Sequence, residues 1–194
     1  MSEVVADELG DVLLSVISGP CIAREVALKI PSAASVASNT KALSKKVRNI
    51  FETETFTLFE NDDIIGVELG GSIKNVIAIC SGIVEGLGLG SNTRAVLFAR
   101  GVAEMARLGQ AMGARRETFM GLSGLGDLAT TCLSPQSRNR WLGEEIGKGR
   151  DLKTILKTTE MVVEGVATAQ AAYRLARKHK ITMPISEAVY QILF

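Results

Sequence analysis

Two hydrophobic periods divide this chain. Short apolar runs from Val12 to Ser18, Ala33 to Ala37 and Phe56 to Phe59 predict strands, with helical stretches near Ile22 to Ile30 and Thr40 to Phe51 between them. After Asn61 the β pattern fades into the longer helical period. Helices are predicted over 62–87, 92–112, 137–148, 151–158, 163–179 and 185–194. Residues 1–61 therefore look like the trailing remnant of an α/β sheet of parallel type, and residues 62–194 like an all-α domain, so the class is mainly α. No repeat, low-complexity tract or long linker separates the two, and they are expected to pack directly with a cleft between them.

Punctuation agrees with these spans. Asn61-Asp62-Asp63 suits the start of the long helix, Gly86-Leu-Gly-Leu-Gly90 its exit, and Pro184 the first turn of the last helix, where a missing N–H costs little. The helix from Asp62 is apolar around most of its circumference (Ile64, Ile65, Val67, Leu69, Ile73, Val76, Ile77, Ile79), which predicts burial on more than one side. Lys74 sits in the middle of it. Burial disfavours an ammonium and favours a neutral amine able to accept a proton, so a lysine placed there asks for a partner or a task. Gly66, Gly70 and Gly71 precede it, each costing a helix about 1 kcal/mol relative to alanine, which predicts close approach of another segment.

The other chemically loaded stretch runs from Gly121 to Arg140. A glycine-rich loop, Gly121-Leu-Ser-Gly-Leu-Gly126, delivers Asp127 and Thr131, and Ser137 is placed to cap a new helix whose first-turn N–H groups favour an anion. Arg138 adds a planar two-pronged donor and Asn139 a neutral one, a combination suited to a small phosphorylated molecule. Blander readings compete with these. Most lysines on helices are solvated, and most Ser-Arg-Asn starts are ordinary capped helices.

Composition narrows the field. Hydrophobic residues make up 46% of 194 positions, enough for a sizeable core, and the formal net charge of +1 gives no reason to invoke nucleic acid or an acidic membrane surface. The N-terminal Met1-Ser-Glu-Val-Val-Ala-Asp-Glu is acidic, unlike a secretory leader, and no uncharged apolar run approaches the ~20 residues of a membrane span. A cytoplasmic protein is expected. Cys21, Cys80 and Cys132 lie far apart with only His179 as imidazole, which predicts reduced structural thiols rather than a metal cluster or disulfide framework. His179, within a basic helix end, Trp141, and the methionines are read as solvated or packing residues.

Four separated motifs carry a resemblance: Val67-Glu-Leu-Gly-Gly-Ser-Ile-Lys-Asn-Val76, Gly121-Leu-Ser-Gly-Leu-Gly-Asp-Leu128, Ser137-Arg-Asn-Arg140 and Val162-Val-Glu-Gly165. In this order they are similar to the bacterial type of NAD(P)-dependent sn-glycerol-3-phosphate dehydrogenase. Ser18-Gly-Pro-Cys-Ile-Ala-Arg-Glu25 resembles a fifth family segment, with Cys21 where serine or threonine is usual. The resemblance implies reversible hydride transfer between C2 of sn-glycerol 3-phosphate and a nicotinamide, interconverting it with dihydroxyacetone phosphate and supplying a glycerophospholipid precursor. It implies Lys74 and Asp127 as catalytic residues, with Thr131 a helper. Gly19, Cys21, Asn75, Ser137, Arg138 and Asn139 would join them around the substrate. Ala23, Arg138, Val162 and Glu164 would meet NAD or NADP.

The family's Gly-x-Gly-x-x-Gly turn, which holds the cofactor pyrophosphate, does not occur in these 194 residues. The chain thus resembles the C-terminal portion of such an enzyme, expected to bind cofactor weakly or not at all and to be inactive alone. Unpaired sheet edges in such a portion favour self-association, and a homo-oligomer or a loosened N-terminal third is expected. Two readings from other classes stay open: the helical domain of another phosphosugar or hydroxyacid dehydrogenase, and a non-catalytic module that binds phosphorylated metabolites or assembles subunits.

Overall fold

The computed structural model describes residues 1–159 and 161–194. A short helix, α1 (Ser2–Leu9), precedes β1 (Ser15–Ser18), α2 (Ala23–Ala27), β2 (Ser32–Ser38), α3 (Lys41–Phe51) and β3 (Phe56–Asn61). Nothing in the local period announces α1, which buries none of its residues. It is held from a distance: the Ser2 amide donates to Glu68 Oε1 at 2.8 Å, and its hydroxyl donates to the same carboxylate.

The three strands form one sheet in sequence order, with β2 in the middle. The sheet is mixed, not parallel throughout. β2 and β3 run parallel, Ser32 beside Phe56 and Ala37 beside Asn61, joined by α3 as the crossover that parallel pairing needs. β1 runs antiparallel to β2, pairing Ser15 with Ser38 and Ser18 with Ser35. The reversal is made through α2 and a left-handed Lys29 at φ 58. Ala34, Val36 and Leu58 form the small core beneath this sheet.

The remaining elements surround one long helix, α4 (Ile64–Gly86). They are α5 (Ser91–Ala111), a 3₁₀ turn (Arg116–Met120), a π-helical turn (Leu122–Gly126), α6 (Asp127–Leu133), α7 (Arg138–Gly147), α8 (Leu152–Lys157), α9 (Glu164–Lys178) and α10 (Pro184–Leu193). One face of α4 puts Ile73 and Ile77 against Met105, Leu108, Phe119 and Leu128. The other puts Val76, Ile79 and Ile83 against Leu142, Ile155, Ala169 and Val189. Burial on both sides is what its all-round apolar pattern predicts. By length and mean hydropathy of 1.4 the helix would suit a membrane, but more than half of the qualifying window is buried inside the protein.

Capping fixes where α4 begins. The Asp63 side chain accepts the Gly66 amide at 2.8 Å through Oδ1, while Oδ2 accepts the Arg115 amide at 2.8 Å and the Thr118 hydroxyl at 2.7 Å. The same buried carboxylate thereby fastens the 3₁₀ turn to the start of the helix. At the far end, Gly82 and Gly86 face Gly143 and Gly147, so α4 and α7 meet backbone to backbone.

The segment after Gly121 differs from the loop its glycines suggest. The Gly126 amide reaches back to the Gly121 carbonyl at 3.1 Å, closing a wide turn that runs straight into α6. Tertiary contact overrides local preference here. The Ser123 carbonyl lies where a side chain at residue 70 would go, so Gly70 allows this turn to rest on α4.

Candidate active site

Lys74, one turn beyond Gly70 on α4, meets Asp127, the first residue of α6. Its ammonium donates to Asp127 Oδ1, and the pair is withdrawn from solvent, with side-chain exposures of 19% and 4%. The Ser18 hydroxyl, from the end of β1, donates to Asp127 Oδ2 at 3.2 Å. Thr131 donates to the Asp127 main-chain oxygen at 2.7 Å and lies 3.5 Å from Oδ1. Burial nevertheless dominates and pushes the Asp127 carboxyl above its ordinary value, against the pull of Lys74, Ser18 and Thr131.

Across the cavity stands the start of α7. Ser137 is its N-cap, accepting the Arg140 amide at 3.2 Å. Arg140 points the other way and clamps Glu85 of α4 with two bonds, Nε at 2.9 Å and a terminal nitrogen at 2.6 Å, so the helix start is braced from behind. Arg138 donates to Glu164 Oε1 at 3.2 Å, and Asn75 donates to Glu164 Oε2 at 3.4 Å. Asn139 accepts the Gly165 amide at 2.9 Å, which ties α9 to α7.

Apart from Arg140, Glu85 and Gly165, these residues line a single cavity of about 340 Å³, within the size range of small-molecule sites. It brings together Gly19, Cys21, Lys74, Asn75, Asp127, Thr131, Ser137, Arg138, Asn139 and Glu164. Ala23 and Val162 are exposed and lie outside its lining. Cys21 keeps its Sγ 3.2 Å from the Gly19 carbonyl, and burial, then the Asp127 charge, push its thiol up despite Lys74 nearby. The three cysteines are free thiols.

Sequence reasoning passed over Ser18, Gln136 and Ser134, which also line the cavity. Ser18 stands inside a quoted motif, so a signal existed, whereas nothing marks Gln136. Gly19 also has a packing reason, since a methyl there would come to 2.7 Å of the Ala34 Cα. A larger cleft, about 990 Å³, opens beside α1, but Glu3, Asp7, Asp11, Asp62 and Glu68 line it and disfavour an anion.

The chain as a whole has known relatives. The family model described as the C-terminus of NAD-dependent glycerol-3-phosphate dehydrogenase matches residues 63–194, and the corresponding N-terminus model matches residues 1–44. This chain belongs to that dehydrogenase family. A glycerol-3-phosphate dehydrogenase [NAD(P)+] of Geobacter sp. (strain M21) is 54% identical over 181 residues, covering 93% of this chain and 54% of that protein. The counterpart of the same description from Syntrophotalea carbinolica is 51% identical over 197 residues, covering 100% and 59%.

Solved dehydrogenases of the family share the fold. The 2.1 Å crystal structure of glycerol-3-phosphate dehydrogenase from Coxiella burnetii superposes with a TM-score of 0.96 at 47% identity, covering 99% of this chain and 59% of that one. The Saccharomyces cerevisiae enzyme superposes at 0.87 with 29% identity, covering 100% and 59%. The chain thus spans just over half the length of these dehydrogenases.

Proposed function

We propose that this chain carries the substrate-binding and proton-transferring part of an NAD(P)-dependent sn-glycerol-3-phosphate dehydrogenase, acting on sn-glycerol 3-phosphate and dihydroxyacetone phosphate. The observation that carries this reading is the Lys74–Asp127 pair sharing one small cavity with the Ser137–Arg138–Asn139 helix start. Phosphate would settle on the α7 first-turn amides, with Arg138 and the Asn139 Nδ2 as further donors. The carbon chain would then extend toward Lys74.

Lys74 Nζ would take the C2 hydroxyl proton as a neutral amine in the oxidation direction and return it as an ammonium in the other. Asp127 would orient the amine and, with Thr131, receive substrate hydroxyls. Gly19 and Cys21 would close the opposite wall. Asn75 spends its Nδ2 on Glu164 and would offer Oδ1 to a hydroxyl.

Arg138 and Glu164 also suit the nicotinamide end of a cofactor. Both are partly exposed at the cavity, a guanidinium beside a carboxylate, matching carboxamide and ribose hydroxyls in donor and acceptor character. Ala23 through its backbone and Val162 would extend this edge. When bound, the nicotinamide supplies the hydride acceptor or donor. Self-association into a homo-oligomer is supported by the two edges of the sheet, β1 and β3, the latter carrying an exposed Phe59.

Calorimetric titration with sn-glycerol 3-phosphate tests the reading. Arg138→Ala should weaken binding by about 10- to 100-fold, the scale of a charge-assisted contact, and a sugar acid should bind poorly to the intact chain. Absence of binding by folded protein would overturn it.

A further inference from the structure

We propose that Ser18 is a positioning residue whose hydroxyl, carried in by β1, fixes the Asp127 oxygen that Lys74 does not reach, and that Gly71 is glycine to leave room for it. The proposal rests on the reading of Lys74 and Asp127 as the proton-transferring pair.

The two oxygens of Asp127 are served unequally. Oδ1 receives Lys74 and lies near Thr131, whereas Oδ2 has Ser18 as its one donor among the described residues. Asp127 is only 3% exposed, so water has little access to replace a lost donor. A carboxylate held at one oxygen alone can turn about its Cβ–Cγ bond, and turning it redirects the lysine it holds. A donor on the second oxygen removes that freedom.

Ser18 is well suited to be that donor because its own backbone is fixed. It pairs with Ser35 on β2, and 109 positions separate it from Asp127, so the bond ties the sheet to the helical part of the molecule. Space for the hydroxyl comes from α4. A methyl built on Gly71 would come to 2.5 Å of Ser18 Oγ and 3.4 Å of its Cβ. Gly71 and Lys74 stand three residues apart on the same helical face, so one turn of α4 accommodates the serine and the next presents the amine. Gly71 therefore has a site-related reason to be glycine, beyond tight helix packing.

A serine that only fills space would affect stability and leave the titration of Asp127 where it was. Carbon-13 NMR of the Asp127 carboxyl in the ligand-free full chain, assigned with Asp127→Asn, distinguishes the two. In Ser18→Ala the titration midpoint should rise by about one unit, the scale of one hydrogen bond to a charged group. Nitrogen-15 relaxation should show the Lys74 ammonium less ordered.

Gly71→Ala is the second variant. It displaces the Ser18 hydroxyl while alanine favours the helix and offsets much of the loss, so the protein should stay folded near the parent stability and show the same upward shift. An unchanged midpoint and unchanged lysine order in these two variants would overturn the proposal. No substrate enters the measurement, so failure of the dehydrogenase reading would show separately, as absent binding of sn-glycerol 3-phosphate to the unsubstituted chain.

Discussion

Asn139 accepts the Gly165 amide at 2.9 Å, so the residue that follows Arg138 spends its carbonyl on the first turn of α9 while it lines the cavity. One side chain therefore ties α7 to α9 while standing in the lining of the cavity proposed to take phosphate. Asn139→Ala should lower stability by about 1–2 kcal/mol, because it strips the acceptor from a buried amide. Asn139→Asp keeps that acceptor and adds a negative charge. It should melt near the parent temperature yet bind inorganic phosphate at least tenfold more weakly, by thermal denaturation and calorimetry.

The Lys74–Asp127 pair predicts an asymmetric response. Asp127 is the more buried partner, so Lys74→Met leaves a carboxylate without its charge partner and should cost about 3 kcal/mol near neutral pH. Asp127→Asn should cost less, since the lysine retains access to solvent. The folded chain holds the Asp127 proton more tightly than the unfolded chain does, because burial raises it above 3.8. Its contribution to stability is therefore present at low pH and falls as pH rises through the interval above that value. Urea unfolding from about pH 4 to about pH 8 should show Lys74→Met losing stability progressively relative to the parent as pH rises.

Gly143→Ala probes the α4–α7 contact. A methyl at this position would run into the Ile79 carbonyl, and a backbone oxygen cannot swing aside. The helix-propensity gain of about 1 kcal/mol should be outweighed, leaving a net loss of roughly 2 kcal/mol in urea unfolding. Because α7 begins at the cavity, phosphate affinity should fall as well.

Cys21 offers a chemical test of the local field. The thiolate is the reacting form, and burial together with Asp127 holds the Cys21 thiol above its ordinary value, so carbamidomethylation should be slow at neutral pH. Asp127→Asn should speed it and Lys74→Met should slow it further. Cys80 and Cys132, pushed up to about 11 and about 12, should stay unmodified while the protein is folded. Peptide mass spectrometry resolves the three.

What could be read from the sequence follows from range. The all-round apolar pattern of α4 is local, and it names the central helix together with a lysine that needs company. The Ser137 and Asp63 caps are local too, and both are made. The antiparallel entry of β1 is not local, because side-chain alternation is the same in either strand direction. α1 depends on Glu68 far along the chain, and Ser18 meets Asp127 only once the sheet has docked. Glycine-rich composition pointed away from the helical turn at Leu122–Gly126, since Gly70 on another element makes room for it.

That wide turn sets the phase of the helix behind it. Each residue of a helical turn advances the facing direction, by about 100° in an α-helix and by less in a wide turn, so the number of residues between Gly121 and Asp127 decides which way the carboxylate points. Leu125 is 42% exposed and has latitude to change its identity. Deleting it should shorten this turn and carry the Asp127 carboxylate away from Lys74. In this part of the chain, length is a sharper constraint than composition.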